Sequence, residues 1–112
     1  MTEAQRLRII GFNASLSKRG VSVALQPNGD RIEEVGFMAL VEPYGLEPEQ
    51  NAVDHEMRIA NRIHILSQTL ESQQIEILIG DCFKEGETTH RVVKIGKDTI
   101  KHIFSCETAE TV

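Results

Sequence analysis

Residues 55–70 read HEMRIANRIHILSQTL, and the secondary structure of this stretch decides the fold. Ile59, Ile63, Leu66 and Leu70 fall on one stripe of a helix, while Met57, Ile59, Ile63 and Ile65 fit a period of two with Asn61 as the one exception. Intrinsic propensity leans to helix, because Arg, Met, Ala and Leu are good helix formers. The residues alone leave both readings open.

Toward the C-terminus, residues 75–107 read IEILIGDCFKEGETTHRVVKIGKDTIKHIFSCE, with three strand-like runs separated by turn signals. Ile75–Ile79 is apolar and β-branched, and Gly80-Asp81 ends it. Lys84–Glu87 is a glycine-containing turn before a run over Thr89–Ile95, and Gly96-Lys97-Asp98 is another before Thr99–Cys106. In the last run Ile100, His102, Phe104 and Cys106 alternate with Lys101, Ile103 and Ser105, the pattern of a half-buried antiparallel strand. Residues 75–107 are therefore expected to form a β-meander, extended to a meander region over 57–107 if the strand reading of residues 57–66 holds, with Val92 and Phe104 buried and Thr108–Val112 a frayed tail.

Toward the N-terminus, Pro43–Asp54 (PYGLEPEQNAVD) has no sustained period and is expected to be a long exposed loop, occupying residues 43–56. Loops of this length are often functional; Tyr44, Leu46, Glu47 and Glu49 are its candidate partner contacts, Tyr44 because tyrosine gives large contact area at small entropic cost. Before it, Val21–Gln26 and Glu34–Glu42 flank the turn Pro27-Asn28-Gly29-Asp30, which reads as a hairpin over residues 21–42. Residues 2–19 have the best helical claim. Thr2 can cap the start, Leu7, Ile10 and Ala14 make one stripe with Phe12 and Leu16 beside it, and Gly20 is placed for a left-handed cap. This helix is expected to cover an open side of the sheet, with Arg6 and Arg8 as candidate contacts to a neighbouring subunit. The expected core comprises Val23, Leu25, Phe37, Val41, Ile77, Val92, Ile95 and Phe104.

The chain's 112 residues suffice for one domain, 1–112, with an ordinary core. Its 12 Lys and Arg against 17 Asp and Glu give a net charge of −5, and with one Tyr, four Phe and no Trp it has neither the basic footprint nor the ring faces of a nucleic-acid binder. No apolar run approaches the roughly 20 residues of a membrane span. Two cysteines without a secretory leader suggest reduced thiols in a cytosol. Cys82 and Cys106 are far apart in sequence, and His55, His64, His90 and His102 lack metal-site spacing, so neither metal nor other cofactor is expected. Asp54-His55-Glu56 sets carboxylates beside an imidazole, but such a cluster in a loop is ordinarily solvated. With no convergent catalytic set, the chain is not expected to be an enzyme.

Gly80-Asp81, the turn at Gly86, Arg91–Ile95, Asp98 and the closing Phe104-Ser105-Cys106-Glu107 resemble the C-terminal half of small head-tail joining proteins of long-tailed bacteriophages, the lambda-type stopper or head-completion family; His90 stands where tyrosine is expected. The hairpin around Pro27-Asn28-Gly29-Asp30 resembles that family's first hairpin. The resemblance implies a strand across Arg62–Leu66, followed by a short turn at Glu71–Gln74. The expected fold is α+β, mainly antiparallel β: a small barrel or sandwich with an N-terminal helix and a long loop after the first hairpin. The implied function is that of a virion neck protein, made in the bacterial host cytoplasm. It would form a ring with copies of itself under the portal and adaptor, retain packaged DNA and offer the tail a docking face. DNA would pass the channel without sequence-specific binding, and no membrane would be involved. An alternative from another class is a non-viral small β-barrel module that binds a peptide or nucleic acid.

Overall fold

Residues 57–72 hold both periodicities in succession, strand first and helix second. The computed structural model describes residues 2–29, 31–48, 57–96 and 102–111. Their elements are α1 (Glu3–Arg19), β1 (Val21–Leu25), β2 (Val35–Pro48), β3 (Met57–Leu66), α2 (Ser67–Ser72), β4 (Cys82–Glu85), β5 (Thr88–Ile95) and β6 (Ile103–Thr111). Asn61, Ile63 and Ile65 all point inward from β3 and are buried, so the period of two continues unbroken through the residue that looked like its exception. After Leu66 the backbone turns helical, and Leu70 is the buried residue of α2. Pairing with strands on both sides of β3 outweighs the helical propensity of Arg, Met and Ala.

The strands close a six-stranded antiparallel barrel in the order β1-β2-β3-β6-β5-β4, with β4 returning to β1 through Ala24↔Lys84 and Leu25↔Phe83. Closure leaves no sheet edge around the barrel wall. The fold is thus the expected α+β arrangement in its barrel form. Val23, Leu25, Phe37, Ala39, Ile63, Ile65, Phe83, Val92 and Cys106 fill the interior, and Leu70 and Ile77 plug the end where α2 lies. Of the expected core, Val23, Leu25, Phe37, Ile77 and Val92 are buried, whereas Val41, Ile95 and Phe104 are half-buried and pack against that core.

Four expectations are corrected. Ile75–Ile79 is not a strand, because the closed barrel offers no edge for it; only Ile77 is buried, and Leu78 and Ile79 are 53% and 67% exposed. The strand in that region is β4, which turns into β5 at Gly86-Glu87. Gly86 has φ 59° at the first central position, the place a type II′ turn reserves for glycine. Pro43–Pro48 belongs to β2 rather than to a loop. The register shifts between Pro43 and Gly45, so Tyr44 is the extra residue of a bulge directly after Pro43, and strands admit proline beside such bulges. Thr108–Thr111 is not frayed. It belongs to β6, where Thr108 is buried and donates from Oγ1 to the Asn61 carbonyl at 3.3 Å. The expected strand Thr99–Cys106 accordingly shifts to Ile103–Thr111, while Thr99 and Ile100 lie outside the described residues.

The fourth correction concerns α1. Its start is as expected: Thr2 Oγ1 accepts from Gln5 N and the Gln5 side chain accepts from Thr2 N, a reciprocal cap. Its face is the opposite one. Ile9, Phe12 and Leu16 turn inward, with Phe12 buried, and Leu7, Ile10 and Ala14 are exposed. Apolar residues occupy two opposed stripes of this helix, so period alone does not choose between them. Gly20 ends it with extended backbone, φ −65° and ψ 144°, rather than in the left-handed region. Glycine is needed there for space: a Cβ would lie 2.3 Å from the Leu16 carbonyl oxygen.

Candidate functional site

Past Ala39, β2 loses its partnership with β1, and from Ile59 outward β3 no longer pairs with β6. The pairs Leu46↔Ile59, Glu47↔Arg58 and Pro48↔Met57 therefore form a two-stranded arm that stands beyond the barrel. At about 3.4 Å per residue the described part of this arm reaches roughly 10 Å. Leu46 and Glu47 lie on its β2 strand, and Tyr44 is the bulged residue at its base, where β3 still pairs with β6. Glu49, like Asp54, His55 and Glu56, lies outside the described residues. Arg6 and Arg8 are exposed on α1, which packs against β2.

The barrel's two ends differ in chemistry. At the end from which the arm springs the interior turns polar. Asn61 Nδ2 donates to Glu110 Oε2 at 3.0 Å, and His90 Nε2 lies 3.0 Å from Glu85 Oε1. His90 is 2% exposed, and its Nδ1 has no hydrogen-bond partner among the described residues. Outside the wall, His64 bridges Ser105 Oγ at 2.7 Å and Glu42 Oε2 at 3.1 Å.

At the other end, Asp81 fastens the chain. Its Oδ1 accepts from Asn28 Nδ2 at 2.7 Å and from Arg31 Nη2 at 2.9 Å, and its Oδ2 accepts from Leu78 N at 2.8 Å. Arg31 also donates to the Gln26 carbonyl. Burial by itself raises the Asp81 pKa, but the bonds from Asn28, Leu78 N and Arg31, together with the guanidinium charge, outweigh it and hold the carboxyl below its ordinary value of 3.8. The β1–β2 loop and the segment before β4 are thus tied across fifty residues of chain. The sequence presented Asn28 and Asp81 only as turn formers; the spacing between them carried no signal that they would meet.

These groups do not converge on a reaction centre. Among the described residues no group of three or more His, Cys, Asp or Glu is placed to hold a metal. Cys82 and Cys106 are free thiols on different strands. Burial, reinforced by the neighbouring Glu107 charge and only partly opposed by a backbone bond from Ile63, pushes the Cys106 thiol up to about 12. The thiolate is the reactive form, so Cys106 should be inert at neutral pH. A thiol reagent should label half-exposed Cys82 first and reach Cys106 only on unfolding. Rapid labelling that survives Cys82→Ser would contradict this.

No helix among the described residues is long and apolar enough to cross a membrane. The chain matches no protein-family model and no curated protein sequence.

Proposed function

We propose that this chain is a structural protein of a bacteriophage neck, of the stopper or head-completion kind, acting by assembly rather than catalysis. It forms a ring under the portal and adaptor, retains packaged DNA and gives the tail its attachment face. The observation that carries the reading is the arm: a closed barrel whose conspicuous projection is a two-stranded ribbon, Leu46–Pro48 with Met57–Ile59, suited to reaching a neighbouring component. The residues that carry the sequence resemblance support it further, since Asn28 of the first hairpin's connection donates to Asp81 of the Gly80-Asp81 pair. The net charge of −5 suits a passage through which DNA moves without adhering.

The arm is tested by trimming it in register. Deleting residues from one strand only would unbalance the β2–β3 ladder, so residues 46–59 are replaced by a two-residue Asn-Gly turn joining Gly45 to Ala60, which face each other in the native register. The variant should remain folded, with barrel-like circular dichroism and cooperative melting. In a phage lacking the gene it should fail to yield joined, DNA-filled particles by electron microscopy. Parental yields from the folded, trimmed variant would remove the arm from the account.

A further inference from the structure

We propose that the outer face of α1 on one copy of this chain seats in the cleft between the β1–β2 loop and residues 73–76 of a second copy, a head-to-tail contact that can repeat. The inference deepens the ring of the neck reading and rests on that reading for where the ring assembles; the contact itself is argued from the two surfaces.

The first surface is the stripe of α1 that the barrel does not use. Leu7 and Ile10 are 60% and 58% exposed and lie one turn apart, with exposed Ala14 continuing the stripe. Arg6 and Arg8 flank Leu7, and Lys18 and Arg19 close the last turn. This helix holds four of the chain's 12 Lys and Arg but only one of its 17 acids, so it is strongly cationic within an anionic protein.

The second surface has the opposite sign and a matching apolar floor. The cleft is lined by Ile32, Val35 and Ile75, with Glu33 and Glu76 among its polar lining. The guanidinium of Arg31 at its edge is already committed to Asp81, which leaves the two carboxylates to set the local charge. Ile32 is 83% exposed, a high value for an isoleucine in a segment that Asp81 holds fixed. Exposed Leu78 and Ile79 follow on the same tied segment.

Within one copy the surfaces do not meet, because α1 turns Ile9, Phe12 and Leu16 inward and its cationic apolar stripe outward. Pairing them takes a second molecule. Because different patches meet, the contact is heterologous, and such contacts propagate to a closed ring or an open filament according to the rotation per step. A helix of 17 residues is about 25 Å long, so one contact buries less than the roughly 1,200 Å² of a stable standard interface. Free copies are then mostly monomeric, and a platform that holds several copies side by side supplies the effective concentration for closure.

The test uses the full-length purified protein without phage particles. Sedimentation velocity over a concentration series into the millimolar range should show association that weakens with added salt. Arg6→Glu with Arg8→Glu, and separately Glu33→Lys with Glu76→Lys, should each weaken association about tenfold. An equimolar mixture of the two variants should associate again, since each reversed helix then faces a reversed cleft. Leu7→Ser, which leaves every charge in place, should weaken it as well. All four positions of charge reversal are outside the core, and circular dichroism verifies folding. A parent that stays monomeric throughout, reversal variants that associate like the parent, or a mixture that does not recover would each overturn the contact. None of these outcomes bears on joining of heads to tails, so the interface and the neck reading fail separately.

Discussion

Phe83→Ala is expected to cost about 3–5 kcal/mol of stability. Phe83 is fully buried on β4, at the seam where β4 meets β1 opposite Leu25, so its removal opens a cavity at the point of barrel closure. Domains of this size are stable by only about 5–15 kcal/mol, and the loss corresponds to a drop in melting temperature of roughly 10–20 °C. Phe104→Ala should cost less, because Phe104 is half-buried at the start of β6 and its neighbours can close over part of the gap. Thermal melts of both variants check the order. A Phe104 variant weaker than the Phe83 variant would show that the barrel's centre of packing lies nearer the α2 end than the geometry indicates.

Asp81→Ala should be the most damaging polar substitution, at about 2–4 kcal/mol. It leaves the Arg31 guanidinium, the Asn28 amide and the Leu78 N–H without their acceptor. The range sits below that of a wholly enclosed ion pair because the Arg31 side chain is 18% exposed and regains some water. The same carboxylate gives the fold a pH dependence with a defined sign. Its folded-state pKa lies below the ordinary 3.8, so the folded state binds the proton less readily than the unfolded chain. The stabilisation is fully present above that ordinary value and is lost as pH falls through the depressed one. Urea titrations at neutral pH and at acid pH should therefore show the parent losing the advantage over Asp81→Asn that it holds at neutral pH. An advantage that persisted unchanged at low pH would contradict the pairing.

The parts of the fold legible in the sequence are those fixed by local chemistry. Thr2 and Gln5 cap α1 through atoms three residues apart, and Pro27, Asn28 and Gly29 lie in the connection between β1 and β2, where Asn28 and Arg31 exchange backbone hydrogen bonds. What failed was decided at long range. Ile75–Ile79 has the composition of a strand but meets a barrel already closed by β1 and β4, so tertiary context removes its place in a ladder. Pro43 and Gly45 carried loop chemistry into what is a bulge, a distinction that depends on a facing strand. Thr108–Thr111 looked like an unpatterned tail, yet its partners on β3 and β5 give it two neighbours. The choice between the two stripes of α1 depended on which one the barrel wall met.

The candidate site was legible in part for the same reason. Tyr44, Leu46 and Glu47 were picked out because the stretch lacked a period; Leu46 and Glu47 fall on the projecting arm and Tyr44 in the bulge at its base, all as strand rather than loop. The cleft beside Ile32 and Ile75 joins segments more than forty residues apart, and neither segment alone distinguishes an exposed isoleucine from a buried one.

The most direct measurement of the central claim is DNA retention by phage heads made without this gene product. Such heads should lose packaged DNA to nuclease and remain tail-less, and adding the purified protein before tails should restore both nuclease protection and joined particles in electron micrographs. Heads that hold their DNA and accept tails equally well without the protein would contradict the neck assignment.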